Sequence, residues 1–302
     1  MIFRAQTLLS IGECMVEMAP TPDGTYKMGF AGDTFNTAWY AQKMFPADWD
    51  VSYFTALGDD PASGEMLDFM NAADISTDHI QRIAGKTVGL YMIQLKDGER
   101  SFAYWRETSA ARLLARDADR LNAAMQSAGI VYFSGITIAV LSAEDRETLC
   151  AALTQARADG CIIVFDPNLR PRLWSNTKTM CEAVTQAAKC ADIVLPSFED
   201  ECAYFNDKTV EDTAARYRAT GAGMVIVKNG EEEMYIWGAT VGAQTYTPTK
   251  IIDVIDSTAA GDSFNAGFLS VLVAGGSIID AVAAGAELSA KVITKRGALV
   301  EV

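Results

Sequence analysis

The sequence predicts an α/β fold: a mostly parallel central sheet with helices on both faces. Three observations carry that expectation. Short apolar runs of strand length alternate with amphipathic stretches of helix length. The short runs are apolar throughout rather than at every second residue, as in strands buried on both faces. The joints between runs and helices hold turn residues. Half of the 302 residues are hydrophobic, enough for a sizeable core, and an α/β layer structure can hold this length as one unit.

Thr7–Ile11 reads as the first strand. Met15–Phe30 then breaks the rhythm, with strand-like pieces separated by Pro22-Asp23-Gly24. A helical pattern follows over Thr34–Met44. Thr87–Thr108 breaks the rhythm again and reads as a hairpin, Gly89–Leu95 and Arg100–Trp105, around Asp97-Gly98. Together the two breaks predict a small β-sheet beside the main layer, placed as a lid. Strands are expected at Ile130–Phe133, Ile162–Phe165, Ile193–Leu195 and Met224–Val227, with helices at Ala143–Ala158, Thr177–Ala188 and Val210–Ala219. Ser134-Gly135, Asp166-Pro167-Asn168, Pro196-Ser197 and Asn229-Gly230 mark the strand ends, where open α/β sheets collect ligands. A β-branched segment, Ile251–Ile255, leads through small residues into an apolar helix, Ser263–Val273, and an alanine-rich pattern suited to close packing covers Ile278–Thr294. No repeat, linker or low-complexity segment interrupts the chain.

Composition removes several function classes. Lys plus Arg number 25 and Asp plus Glu 39, so the net charge is 25 − 39 = −14. That charge repels nucleic acid and anionic lipid, and a site for phosphate or carboxylate needs local cations and backbone N–H groups. The six cysteines form no C-x-x-C pair and read as small buried thiols. His79, the only histidine, falls in a polar loop and reads as a surface residue. Ser-His-Asp triads and multi-histidine metal sites therefore lack material, and a base is expected to be a carboxylate or lysine. No leader sequence and no apolar stretch of about 18 residues is present, which points to a cytoplasmic protein.

The richest stretch is Asp256-Ser257-Thr258-Ala259-Ala260-Gly261-Asp262-Ser263-Phe264, followed by Asn265-Ala266-Gly267-Phe268. Small residues at 259–261 let backbone N–H groups approach a ligand, and the helix start adds a partial positive charge. Asp262 in the first turn would face an anion held there. Plain helix capping by Ser257, Thr258 or Asp262 accounts for the same residues equally well. Gly29-Phe30-Ala31-Gly32-Asp33-Thr34-Phe35-Asn36 is open in the same way, since Asp33 could simply cap the next helix. Gly85-Lys86-Thr87 lacks the first Gly of a P-loop, and Gly221-Ala222-Gly223 lacks the third Gly of a dinucleotide fingerprint. Glu231-Glu232-Glu233 reads as a solvated loop rather than a metal site.

The 256–268 stretch resembles the C-terminal motif of the PfkB (ribokinase-like) carbohydrate kinases, usually Asp-Thr-x-Gly-Ala-Gly-Asp. The 29–36 stretch resembles their N-terminal Gly-Gly-x-x-x-Asn sugar motif, with Ala31 in place of the first Gly. The resemblance runs from Gly12 to Gly297 with motifs in family order. It implies a ribokinase-like three-layer α/β/α domain over residues 1–302, with lid segments at about 15–32 and 83–108. It implies Asp262 as general base, and Ala259, Ala260 and Gly261 as the anion hole for the migrating phosphoryl group. Gly32, Asp33 and Asn36 would bind sugar hydroxyls. Ala259 where most members have Gly resembles the subgroup acting on 2-keto-3-deoxygluconate, as do Gly12-Glu13-Cys14-Met15 and Asp166–Trp174. In that subgroup Tyr91, Tyr104, Arg106 and Arg170 would bind the substrate, the two arginines near its carboxylate; a guanidinium suits that task.

Val227-Lys228-Asn229-Gly230 resembles the turn beside the ATP phosphates, which Asn168 and Ser197 would flank. The family's Asn-x-x-Glu appears as Ser197-Phe198-Glu199-Asp200 with Glu201 following, which leaves open the carboxylate that orients the metal's water. An adenine-pocket Asn is replaced by Ala286, which implies apolar contacts to the base. ATP is implied as phosphate donor, Mg²⁺ held by ATP and water rather than by protein ligands, and a monovalent cation near Asp256. Pairing of lid sheets into a homo-oligomer is implied as well. Another sugar (fructose, ribose or the galacto epimer), or sugar binding without catalysis, stays open at this point.

Overall fold

The computed structural model describes residues 2–96 and 99–302, with the backbone alone for residues 95, 96, 99 and 100. The expected Asp97-Gly98 turn lies outside the described residues. Strands β1 (Thr7–Ile11), β2 (Met15–Pro20) and β3 (Tyr26–Ala31) lead to helix α1 (Asp33–Met44). β4 (Asp50–Phe54) and β5 (Ala56–Leu57) lead to α2 (Pro61–Ala72), and β6 (Gln81–Arg82), β7 (Gly89–Lys96) and β8 (Glu99–Trp105) to α3 (Ala118–Gln126). β9 (Ile130–Ser134) runs into α4 (Gly135–Val140) and α5 (Ala143–Ala158), β10 (Ile162–Asp166) into α6 (Thr177–Ala188). β11 (Ile193–Val194) precedes α7 (Phe198–Phe205) and α8 (Val210–Ala219). β12 (Met224–Val227), β13 (Met234–Gly238) and β14 (Gly242–Tyr246) precede α9 (Ala260–Val273) and α10 (Ile278–Ile293).

The larger sheet has the order β14-β13-β12-β11-β10-β9-β1-β4, parallel from β4 to β12 and antiparallel at β13 and β14. Alternate residues of each strand feed two cores. Leu8, Tyr132, Val164 and Ile226 face one core with α1, α9 and α10, whereas Leu9, Val131, Ile163 and Val225 face the other with α3, α5 and α6. Burial on both faces is why these strands read as continuous apolar runs. Helix starts follow local chemistry: the side chains of Ser142, Asn176 and Thr209 each accept from a backbone N–H three residues on. α9 and α10 pack backbone to backbone. A Cβ on Gly267 would come within 2.8 Å of the Ala284 carbonyl, and one on Gly285 within 2.7 Å of the Phe264 carbonyl.

A second sheet, order β3-β2-β7-β8, joins two distant chain segments through the parallel pair β2 and β7. This is the small sheet expected from the two breaks in rhythm. Ile251–Ile255 forms no strand: Ile252 is 90 % exposed, and the segment runs extended along the surface without a strand partner among the described residues. The thiols are free, but only Cys14, Cys161 and Cys190 are buried, and Cys202 is exposed. His79 is half-buried in the loop after α2.

Candidate active site

A cavity of about 570 Å³ opens at the carboxyl ends of the central strands, between them and the lid sheet. Gly32, Asp33, Asn36, Tyr91, Tyr104, Asn168, Arg170, Ser197, Lys228, Gly230 and Ala259–Asp262 all line it. Arg106 is not on the wall: it is buried behind the lid's Tyr104, in an ion pair with Glu13. Ala286 packs into the core, and the α10 residue on the wall is Ser289.

Asp262 sits in the first turn of α9, 9 % exposed. The helix begins at Ala259 with no side-chain cap, so neither Ser257, Thr258 nor Asp262 is spent on capping. Ala259 has φ 60° and ψ 16°, the left-handed conformation that explains a glycine preference at this position. The Ala260 N–H donates to the Ser257 carbonyl at 3.2 Å. Asn36 Nδ2 donates to Asp262 Oδ2 at 2.8 Å, which ties α1 to α9 across the cavity floor. Burial first, then the neighbouring Asp33, pushes the Asp262 carboxyl up to about 8, against the lowering effect of the Asn36 hydrogen bond.

Asp33 occupies the first position of α1 rather than its cap, which is Gly32. Its Oδ2 accepts from Asn168 Nδ2 at 2.7 Å, and burial pushes the carboxyl above its ordinary value. Asn168 has φ 35°, a positive value tolerated by asparagine that turns its amide back across the strand end. Lys228 Nζ donates to Asp166 Oδ2 at 3.0 Å and to Asn265 Oδ1 at 3.2 Å, and Asn265 Nδ2 donates to Asp166 Oδ2 at 2.6 Å and to the Tyr132 hydroxyl at 2.9 Å. This buried network fixes the ammonium beside Gly261, whose Cβ position lies 3.5 Å from Nζ. Arg170 stands at the rim, half exposed, 3.5 Å from Asp200. Tyr91 bonds Glu17 under the lid, and its ring lies 6.0 Å from that of Tyr104.

Of the three consecutive carboxylates after Ser197, Glu199 and Asp200 line the cavity. Glu201 points away, fully buried, accepting from Arg216 at 2.6 Å and from the Tyr217 hydroxyl at 2.9 Å. It is part of a core ion pair, away from the cavity.

The pfkB family carbohydrate kinase profile matches residues 5–301. The chain belongs to that family. The kinase is 38 % identical over 296 residues to the 2-dehydro-3-deoxygluconokinase of Escherichia coli (strain K12), covering 96 % of both chains. It is 35 % identical over 302 residues to the enzyme of that name from Haemophilus influenzae, covering 96 % of this chain and 94 % of the other. Among solved structures, a PfkB protein from Polaromonas sp. JS666 superposes with a TM-score of 0.85 at 28 % identity, covering 95 % of each chain. The 2-dehydro-3-deoxygluconokinase of Thermotoga maritima also gives 0.85, at 19 % identity over 98 % of this chain and 96 % of that one. The ribokinase-like fold follows.

Sequence reasoning passed over four buried residues of this kinase. Asp166 and Asn265 hold Lys228, Tyr132 accepts from Asn265, and Glu13 holds Arg106. Asn265 had a visible signal: an amide in the middle of an otherwise apolar helix. Asp166 is the last residue of a strand, where α/β enzymes place their chemistry.

Proposed function

We propose that this kinase transfers the γ-phosphoryl group of ATP to the terminal hydroxyl of 2-keto-3-deoxygluconate, giving the 6-phosphate and ADP. The observation that carries the reading is Asp262, buried in the first turn of α9 and facing one cavity with Lys228 on one side and the lid tyrosines on the other. The hydroxyl oxygen attacks the γ-phosphorus, its proton passes to an Asp262 carboxylate oxygen, and the bond to the β-phosphate oxygen breaks. A carboxylate raised to about 8 is a stronger base than an ordinary one, at the cost of being mostly protonated in the free protein near neutral pH. The N–H groups of Ala259 and Gly261, the α9 dipole and the Lys228 ammonium converge where charge moves onto the leaving group. That of Ala260 is partly engaged by Ser257.

On the sugar side Gly32, Asp33, Asn36, Tyr91 and Tyr104 contact hydroxyls, Arg170 serves the carboxylate from the wall, and Arg106 reaches it past Tyr104 from behind the wall. Asn168, Ser197, Lys228 and Gly230 serve the nucleotide. The acid substrate is supported by the relatives at 35–38 % identity and by Arg170, a cation at the cavity rim besides the buried Lys228. Mg²⁺ suits oxygen ligands and retained water. Glu199 and Asp200 would face that water shell, and the ion would supply charge neutralisation on the phosphates. A monovalent cation near Asp256 rests on the family resemblance, and a requirement for potassium in the assay tests it.

The whole chain acts as one kinase domain with lid segments near 15–32 and 83–108. Exposed Tyr26, Met28 and Trp105 on the lid suit pairing with a second copy, which sedimentation tests. Among the described residues no helix is long and apolar enough to cross a membrane, and the acidic chain suits neither nucleic acid nor anionic lipid; a cytoplasmic location fits these substrates. The deciding experiment is ADP release from Mg·ATP with 2-keto-3-deoxygluconate, its galacto epimer, fructose and ribose. Turnover on the acid sugars alone supports the reading. Turnover only on a neutral sugar overturns the substrate and the carboxylate role of the arginines.

A further inference from the structure

Glu13 follows β1 and is 2 % exposed, and Arg106 follows β8 and is 8 % exposed. Their ion pair lies where the lid meets the central sheet. All four passages of chain between sheet and lid gather around Glu13. β2 begins two residues after it. A Cβ on Gly89, the first residue of β7, would stand 2.8 Å from Glu13 Oε1, and a Cβ on Gly32, after β3, would collide with the Glu13 carbonyl. Arg106 itself leaves β8. The lack of a side chain at Gly89 leaves room for the carboxylate, and the lack of one at Gly32 leaves room for the Glu13 backbone.

The pair is incomplete. Arg106 Nη2 donates to Glu13 Oε2, but Arg106 Nε and Glu13 Oε1 are buried without a hydrogen-bond partner among the described residues. A fork-to-fork arrangement would have satisfied both. Leaving a buried N–H unpaired costs free energy, and a role in catalysis or in binding is one reason such a group is retained. The guanidinium carbon lies 6.0 Å from the ring centre of Tyr104, which lines the cavity and also packs against Tyr91 and Phe102.

We propose that Glu13 is the positioning residue for Arg106: it anchors one side of the guanidinium at the foot of the lid, leaving the other N–H groups for the carboxylate of an acid sugar. The proposal rests on the acid-sugar reading above and extends it to a residue that does not touch the substrate. Without Glu13 the guanidinium has no fixed orientation, and selectivity for acid over neutral sugars weakens while ATP binding does not.

The test is a double-mutant cycle on the full-length kinase with Glu13→Gln, Arg106→Ala and both together, with Glu13→Asp as the conservative variant and melting temperature as a control for folding. Steady-state rates are measured with 2-keto-3-deoxygluconate and ATP varied in turn. Glu13→Gln is expected to raise KM for the sugar acid about tenfold, the scale of one charge-assisted contact, and to leave KM for ATP within about twofold. Glu13→Asp should recover part of that loss. In the Arg106→Ala background Glu13→Gln should add less than about twofold. Fully additive effects, or a fall in melting temperature with an unchanged sugar KM, would overturn the proposal and leave Glu13 as a lid tether. A wild type that phosphorylates only neutral sugars overturns the acid-sugar reading and this proposal together, whereas wild-type turnover of the acid sugar with an unaltered Glu13→Gln variant overturns this one alone.

Discussion

Replacing Asp262 by asparagine should move activity and stability in opposite directions. Burial, then Asp33, raises this carboxyl from 3.8 to about 8 in the folded protein. Between those values the folded chain holds a proton that the unfolded chain has released. The group's contribution to stability is therefore fully present below pH 3.8 and is lost as pH rises toward about 8. Each pH unit in that window is worth about 1.4 kcal/mol at face value. Because Asp33 and Asp166 share the local charge, a loss on the order of 2–3 kcal/mol between about pH 5 and pH 8 is the reasonable scale. For a chain of this size that is a drop of several degrees in melting temperature, about 2–4 °C per kcal/mol. The Asp262→Asn variant would carry no such slope, and its new amide oxygen can still accept from Asn36. Scanning calorimetry across that pH range should show the wild type losing stability relative to Asp262→Asn, while ADP release by the variant falls by about 10²–10⁴. Parallel melting curves would refute the burial argument, and a variant within tenfold of wild-type turnover would refute the role as base.

Asp33→Asn removes the like charge beside Asp262, so the alkaline-rising limb of kcat/KM should shift to lower pH even as the rate falls; a limb that stays in place counts against the coupling. Glu201→Gln should cost about 1–3 kcal/mol in chemical denaturation and leave KM for Mg·ATP within about twofold, because this carboxylate serves Arg216 and Tyr217. Arg170→Ala should leave stability within about 1 kcal/mol, since its pairing with Asp200 is half exposed, and should raise KM for the acid sugar; an unchanged KM removes it from the substrate site.

The layers were legible where a single physical constraint governs. α5, α6 and α8 have the expected bounds because amphipathic period and cap residue agree at each start. β1 and β12 have theirs because strands buried on both faces admit few polar residues: a satisfied Ser10, and Thr7 at the less buried end. Ile251–Ile255 shows the limit of composition: β-branched residues suit a strand only if a neighbour offers its edge, and none does among the described residues. Sites followed the same division. Residues that line the cavity stand in motifs at strand ends and could be named from the sequence. Their supports, Asp166 and Asn265 under Lys228 and Glu13 under Arg106, come from elements remote in the chain, so only the folded structure brings them together. Arg106 illustrates the cost of that blindness: the motif put it on the substrate, whereas it lies off the cavity wall in a buried pair with Glu13.

The lid also bears on how such kinases can change their substrates. Its four strands come from two pieces of chain, and the seam between those pieces is the parallel pairing of Met15–Met18 with Gly89–Met92. One piece carries Glu17 and the other Tyr91, joined across that seam. Exchange of a single piece would mismatch the seam, so a graft of this sheet should carry both pieces together, and it would leave helix α9 untouched.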